Sequence, residues 1–546
     1  MKVDCLDYRG LPGQNPLFLK YLHNFDEVSG FYAPGAPAPL DLEALERRVE
    51  AVAKRPVPFS RERLISLLHP LNRMLGAGEA VQQNIQKLRR RDTVAVVTGQ
   101  QLGLFGGPAL AVYKAATAVR LCQILEDRGY SAVPVFWLPS DDSDFMEVRS
   151  TSFYDRADRL LDIRYPGSQS DGRMVGTINL DRIPEILKQL QDLAQRAEFL
   201  DSTLQTLGAS YRPDQDFSQA HGQWLSGLFR DHGLVLFDSL LPGYKPELTG
   251  VFTRLLKKRS ETIRALQQRS QQLTAAGFTP QVSLEDSETL LFAYEGKSRH
   301  KLVYQDGQYQ SKRRKWGGCS PDELLRRIES NPEGFGPNVL LRPIVQDHLF
   351  PTAVYVGGPS EVAYFTQVNA ISSLWGVEPS IFPRMGFTVV DRKAQRLLKK
   401  YALEAGALMS GDPIQAFQGL LHQGETGEVL KTFNSVQQEL RSQLASLKAH
   451  LNRSDPGMAE MMSRAEHRII YHIEKLQHRF VANYRQRDEA VGKHLDYLQD
   501  RLCPAGKLQE RVVNFNQFLI QEGPAFIKSV MEEAQPFCLS HQVLHV

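Results

Sequence analysis

Three aspartates fall within four residues at Asp141-Asp142-Ser143-Asp144, directly after the apolar run Val133-Pro134-Val135-Phe136-Trp137-Leu138. Carboxylates this close repel one another. The turn therefore calls for a cation, hydrogen-bond donors or a bound amine, or else it is a polar turn that caps the next segment. A second stretch with chemical potential precedes it, Thr98-Gly99-Gln100-Gln101 followed by Gly106-Gly107-Pro108. A β-branched run at 94–97 leads through small and amide residues into glycines whose backbone can approach a ligand closely. Pro108 suits the first turn of a helix. Strand, glycine loop and helix aim N–H groups and a positive helix end at an anion. The loop reads as a phosphate or carboxylate site, or as a tight structural turn; neither GxxxxGK[ST] nor GxGxxG spacing is present.

A third concentration spans 338–367. Arg342, Gln346, Asp347 and His348 lie between Val339-Leu340-Leu341 and the run 353–356, both patterned as buried strands. Gly357-Gly358-Pro359 repeats the design of Gly106-Gly107-Pro108, and Glu361 and Tyr364 then share one face of the first helical turn. A carboxylate at Glu361 is either a partner of the helix dipole or a receptor for an ammonium group. Arg342, and Arg384 within the run 380–391, carry the always-charged fork that clamps a carboxylate or phosphate.

The elements that must position these residues follow from pattern. Runs 94–97 and 133–138 are buried strands, and 109–128 contains no helix breaker, so the three form a βαβ unit with 93–98 and 133–138 as adjacent parallel strands. Both loops then open at the carboxyl edge of one sheet, where ligands of open α/β folds sit. Helices are expected at 41–54, 60–90, 183–208, 217–232 and 245–276, and a buried strand at 233–239 ends on Asp238. Residues 291–316 read as a β-meander turning at Glu295-Gly296 and Asp306-Gly307. Residues 1–40 form an arm packed by its aromatics. From 429 to 502 apolar residues step by four and three, first Val429, Phe433, Val436, Leu440, Leu444, Leu447 and Leu451. After Ser454-Asp455-Pro456-Gly457 come Met462, Ala465, Ile469, Ile473, Leu476 and Phe480, making an antiparallel helical hairpin. The tail, 511–546, is expected to pack back on the body.

Composition narrows the function classes. The 546 residues are 42% hydrophobic and 23% charged with a net charge of +3, so charge suggests neither a nucleic-acid nor a membrane partner. The basic run Lys312-Arg313-Arg314-Lys315 is read as a solvated strand end, with RNA contact as the alternative. Five scattered cysteines without CxxC spacing argue against a disulfide framework or a cysteine zinc site. His467, His472 and His478 lack ligand spacing, and no metal is assigned. No signal-peptide core and no apolar run of roughly 20 residues occurs, which predicts a cytoplasmic protein.

TGQQLGLFGGPALAVYKA, PVFWLPSDDSDFMEV, NVLLRPIVQD, YVGGPSEVAYFTQ and the late coiled coil together resemble the BshC family, cysteine ligases of bacillithiol biosynthesis. The resemblance implies an α/β fold, a Rossmann-like parallel-sheet core with inserted segments plus an α-helical antiparallel coiled coil that supports a homodimer. Core parts are expected at 1–150 and 336–425, insertions at 151–335, the coiled coil at 426–505 and a returning segment at 506–546. It also implies a reaction joining L-cysteine to glucosaminyl malate, with ATP activating the cysteine carboxylate and magnesium left unassigned. Ser143 stands where the family usually has histidine, and neither a HIGH-type histidine pair nor a KMSKS-like loop is present. Asp141, Asp142, Asp144 and Glu361 are the candidate ammonium-binding and catalytic carboxylates. Thr98, Gly99, Gln100, Gln101, Gly106, Gly107, Gly357 and Gly358 are candidates for the anion cradle, and Arg342, Gln346, Asp347, Tyr364 and Arg384 for substrate binding. The competing reading is a non-catalytic nucleotide- or metabolite-binding assembly protein acting through its coiled coil.

Overall fold

The computed structural model describes residues 2–33, 36–167, 172–195, 197–311, 316–410, 425–454, 456–487 and 489–546. The basic run Lys312-Arg313-Arg314-Lys315 and Asp455 of the hairpin turn lie outside the described residues. The chain forms two compact units, Gln14–Phe387 with Glu510–His541, and Met1–Gly13 with Thr388–Gln509 and Gln542–Val546.

The larger unit is built on five parallel strands: β1 (Val94–Gly99), β2 (Ala132–Leu138), β3 (Val235–Asp238), β4 (Thr352–Gly357) and β5 (Ile381–Pro383). Their spatial order is β5-β4-β1-β2-β3. The chain starts at the centre, moves outward through β2 and β3, then returns to the other side of β1. That is the doubly wound order, and the direction of winding reverses between β1 and β4. Every residue of the five strands is buried, as near-continuous apolar runs in a sheet covered on both faces require. Helix α1 (Leu110–Asp127) crosses from β1 to β2, α2 (Arg342–Leu349) precedes β4, and α3 (Pro359–Asn369) crosses from β4 to β5. The expected βαβ unit is present in register, with Val94 opposite Ala132 and Gly99 opposite Trp137.

Several expectations are corrected. Val339-Leu340-Leu341 is a turn, not a strand: the Asn338 Oδ1 accepts from the Leu340 and Leu341 N–H groups at 3.0 and 3.1 Å, and Pro343 then stands in the first turn of α2. A three-residue apolar run cannot distinguish a strand from a buried helix entry. The single helix expected over 60–90 is two, Arg61–Met74 and Glu79–Lys87, because Gly76 takes φ +78°. The one expected over 183–208 is Ile183–Leu193 and Leu200–Ser210.

The meander is as expected, antiparallel strands Glu288–Glu295, Ser298–Gln305 and Gln308–Ser311, with Gly296, Asp306 and Gly307 at positive φ in its turns. The N-terminal arm is pinned by phenols: Tyr21 donates to the Ile381 carbonyl at 2.9 Å and Tyr32 to that of Val362 at 3.0 Å. Near the C-terminus, Asn516 donates its amide to the Phe105 carbonyl at 2.7 Å, which anchors the returning segment on the glycine loop.

In the smaller unit, Glu425–Ser454 and Pro456–Arg487 pack side by side and Glu489–Leu502 follows. Leu430 and Ile470 are buried, and Phe433 faces Phe480 at 6.3 Å between ring centroids. A polar layer interrupts the seam, where Gln437 donates to Gln477 at 2.8 Å and Gln477 donates to Asn434 at 3.1 Å. Val429, Val436, Leu447, Ile469 and Leu476 were expected in this seam and are exposed. One helix neighbour covers only a narrow stripe, so adjacent apolar positions stay outside it. No described helix is long and apolar enough to cross a membrane.

Candidate functional site

At the carboxyl ends of β1, β2 and β4 the larger unit encloses a cleft of about 740 Å³. Its floor is the point where β1 and β4 diverge. There α1 places Lys114, fully buried, with Nζ 2.7 and 2.9 Å from the two Glu361 carboxylate oxygens. The same ammonium donates to the Gly99 carbonyl and to Gln100 Oε1. Glu361, at the start of α3, also accepts from Tyr355 Oη and from the Gly358 N–H, each at 2.7 Å. Burial by itself would raise the Glu361 carboxyl, but the Lys114 charge and these donors outweigh it and hold it below the ordinary glutamate value. Glu361 is thus paired within the chain, both at the helix start and with an ammonium, the ammonium being that of Lys114.

Arg342 opens α2 beside this pair. Its guanidinium lies over the Tyr355 ring, 4.5 Å from the centroid, and donates to Gln346 Oε1 at 2.9 Å and to Tyr364 Oη at 3.3 Å. Every one of these contacts is with a neutral group, and no carboxylate among the described residues forms an ion pair with Arg342. Arg342 and Tyr364 line the cleft, whereas Gln346 is buried behind Arg342 and orients it. Arg384 lines the cleft as well, but its guanidinium is engaged by buried Glu510, with one nitrogen 2.8 Å from Oε2, and by the Met385 carbonyl.

The acidic turn divides into three roles. Asp141, 7% exposed, accepts from Ser239 Oγ at 2.5 Å and from Tyr294 Oη at 2.6 Å. Asp142 pairs with Arg299 and accepts from Gln101 Nε2 at 3.1 Å and from the Ser143 N–H at 2.6 Å. Asp144 is exposed, lies outside the cleft and caps a helical turn by accepting from the Glu147 N–H at 3.1 Å. For Asp144 the capping alternative is the correct one. Glu147, which the sequence reading missed, lines the cleft, is exposed over much of its side chain, accepts from Gln101 Nε2 at 2.7 Å, and has its carboxyl raised by partial desolvation at the cleft wall.

The expected anion cradle is only partly at the cleft. Gly99, Gln100, Gln101 and Gly358 line it. Gly106 and Gly107 do not: a Cβ on Gly106 would lie 2.2 Å from the Trp224 indole, and its N–H donates to Tyr211 Oη at 3.0 Å. These glycines are required by packing, so the tight-turn alternative holds. Thr98 is buried and ties β1 to β4 through the Val356 carbonyl at 2.8 Å. Gly357 gives room for Ile381, whose Cδ1 a Cβ there would approach to 2.7 Å. Asp347 is buried away from the cleft, its nearest cation Arg55 at 4.0 Å, and burial lifts its carboxyl to about 6. Among the described residues no group of three or more His, Cys, Asp or Glu is arranged to hold a metal ion.

Two family models cover the chain: the N-terminal Rossmann-like domain of Bacillithiol biosynthesis BshC matches residues 1–385, and the C-terminal coiled-coil domain of BshC matches 387–546. The chain belongs to the BshC family. A Koribacter versatilis protein named "Putative cysteine ligase BshC" is 32% identical over 548 residues, covering 100% of both chains. A Salinibacter ruber protein of the same name is 31% identical over 97% of this chain and 96% of its own. The Rossmann-like core and the coiled coil anticipated from sequence are therefore those of BshC, a family whose models are named for bacillithiol biosynthesis. In this BshC chain the sequence reading passed over Lys114, Glu147, Tyr294 and Arg299. Lys114 carried a usable signal, as the one charged residue from 110 to 119 in an otherwise apolar or small run. Tyr294 and Arg299 carried none, because strands far along the chain deliver them to the acidic turn.

Proposed function

We propose that this protein is an amide-forming ligase that joins L-cysteine to the amine of glucosaminyl malate, with ATP activating the cysteine carboxylate. The observation that carries the reading is the pairing, in one cleft at the switch point, of a guanidinium and a carboxylate that both have only neutral partners, Arg342 and Asp141. Anionic and cationic groups of small substrates complement such a site. Arg342 suits a malate carboxylate or a phosphoryl oxygen, since its planar fork binds either in bidentate fashion. In this reading ATP is a substrate whose anionic oxygens Arg342 would hold, since packing fills the Gly106-Gly107 loop and Glu361 already caps the start of α3. ATP supplies the leaving group that makes the carboxylate reactive.

The remaining work belongs to the chain's own residues. Amide formation needs amine and activated carboxyl within about 3 to 3.5 Å, so both substrates must share the cleft. The attacking amine must be neutral, and we assign the proton to Glu147, a residue of the cleft wall whose carboxyl is raised. The protein acts as a homodimer in this reading, through the exposed apolar residues of the helical hairpin. The test is thiol profiling of cells lacking the gene, together with incubation of purified protein with ATP, L-cysteine and glucosaminyl malate. Accumulated glucosaminyl malate in the cells and bacillithiol in the reaction are expected. Unchanged thiols and no product, with an ATP-dependent change in assembly state instead, would favour a metabolite-binding assembly protein.

A further inference from the structure

Tyr294 and Arg299 are direct partners across the antiparallel hairpin of Glu288–Glu295 and Ser298–Gln305. Side chains of opposed residues leave a sheet on the same face. From that face each reaches one of two consecutive aspartates: Tyr294 Oη donates to Asp141 at 2.6 Å, and Arg299 pairs with Asp142 while its Nε donates to Ser143 Oγ at 3.1 Å. The hairpin is itself braced, as the Arg299 N–H donates to the Gly172 carbonyl at 2.7 Å and the Arg299 guanidinium lies 4.3 Å from the Phe292 ring centroid. Two neighbouring carboxylates thereby become electrically different. Asp142 is neutralised by a guanidinium. Asp141 receives hydroxyls only, from Tyr294 and Ser239, and forms no ion pair among the described residues. The other charged or titratable groups around Asp141 are Asp238 at the end of β3 and Tyr244 and Lys245 just after it. Lys245 forms no direct ion pair with Asp141, but Asp141 is the foremost charge acting on this buried ammonium, so the two feel each other across the phenol. Its Nζ sits over the Tyr294 ring, 4.1 Å from the centroid, where a cation draws density from the phenol and strengthens its O–H as a donor.

We infer that Tyr294 and Arg299 are positioning residues that sort the two aspartates, leaving Asp141 as the receptor for the α-ammonium of the amino-acid substrate and Asp142 as a neutral-pair contact for the amino sugar. This rests on the ligase reading above. Charge balance over the reaction separates the two roles. The sugar amine must shed its proton before it attacks, so a standing carboxylate partner would hold it in the unreactive form. The α-ammonium of the amino acid stays protonated throughout, and a buried ammonium without a counter-charge is costly. A carboxylate whose direct partners are hydroxyls can still take an ammonium as its contact ion pair. A carboxylate spent on arginine cannot.

The full-length protein carrying Tyr294→Phe, Arg299→Gln, Arg299→Lys, Asp141→Asn or Asp142→Asn tests this by steady-state ligation and by calorimetric titration with L-cysteine. Tyr294→Phe is expected to raise KM for cysteine about tenfold, the value of one hydrogen bond to a charged group, with kcat changed by less than about twofold and KM for glucosaminyl malate unchanged. Arg299→Gln leaves Asp142 as a standing carboxylate, so it should lower kcat with KM for glucosaminyl malate unchanged or lower, with partial rescue in Arg299→Lys. In wild-type protein 3-mercaptopropionate, which is cysteine without its amine, should bind at least about tenfold more weakly than cysteine, and Asp141→Asn should erase that difference. Equal cysteine affinity in wild type and Asp141→Asn, or a cysteine defect in Asp142→Asn alone, would overturn the assignment while leaving the reaction standing. Cysteine bound through Asp141 with no amide formed would support the assignment and overturn the proposed reaction.

Discussion

Lys114 and Glu361 meet across the two central strands of the sheet, one from the second turn of α1 and the other from the first turn of α3, with both carboxylate oxygens within 2.9 Å of one ammonium. The pair joins the helices that follow β1 and β4, so it fixes the width of the cleft where the winding reverses. Removing one member leaves a buried, uncompensated charge. Lys114→Met should destabilise the fold by about 3 to 5 kcal/mol, and Lys114→Met with Glu361→Leu by distinctly less, as read from urea unfolding. Equal losses in the single and double variants would show that the pairing is not what holds the two helices.

Gly106 tests whether the glycine loop is a cradle or a packing device. Gly106→Ala places a methyl against Trp224 at φ +89° and should cost several kcal/mol of stability, on the order of 3 or more. Nucleotide affinity of the folded fraction should be unaltered. A stable Gly106→Ala protein that has lost ATP binding would restore the cradle.

Asp347 supplies a pH dependence. Its carboxyl titrates at about 6 in the folded protein against 3.8 when exposed, so the folded state binds the extra proton between those values. The stability it contributes is complete below pH 3.8 and is lost as pH rises through about 6, a loss of about 3 kcal/mol. Measured by chemical denaturation from about pH 4 to 7.5, the difference between Asp347→Asn and wild type should move in favour of the variant by up to that amount. A difference that stays level with pH would show that Arg48 and Arg55 compensate the charge fully.

Arg342→Lys keeps the charge and removes the fork and the flat stacking surface over Tyr355. The expected result is a rise in KM for glucosaminyl malate, or for ATP, of about ten- to hundredfold. Which substrate responds identifies the anion that Arg342 holds. Unchanged constants for both would remove Arg342 from the binding site.

The exposed residues Val436, Leu447 and Leu476 of the hairpin should pair with a second copy. Replacing all three by serine should halve the mass seen in sedimentation equilibrium, and an unchanged mass would place any dimer contact elsewhere.

Local pattern was enough for the core. The β-branched run at 94–97, the apolar run at 133–138 and the breaker-free stretch between them determined a parallel βαβ unit, because only buried parallel strands are apolar on both faces. Gly357-Gly358-Pro359 marked a second strand-to-helix turn for the same kind of reason: loop closure needs glycine, and a helix start tolerates proline. Charge partners were not legible in this way. Asp141, Asp142, Asp144 and Glu361 looked alike as carboxylates in turns, yet one is held by hydroxyls, one by Arg299, one by its own backbone and one by Lys114. Except for the local cap of Asp144, those partners lie in other segments of the chain, and Lys114, Tyr294 and Arg299 meet their carboxylates only when α1, the inserted hairpin and α3 converge on one edge of the sheet. A carboxylate's role is set by the field around it, and that field exists only after the distant segments have packed.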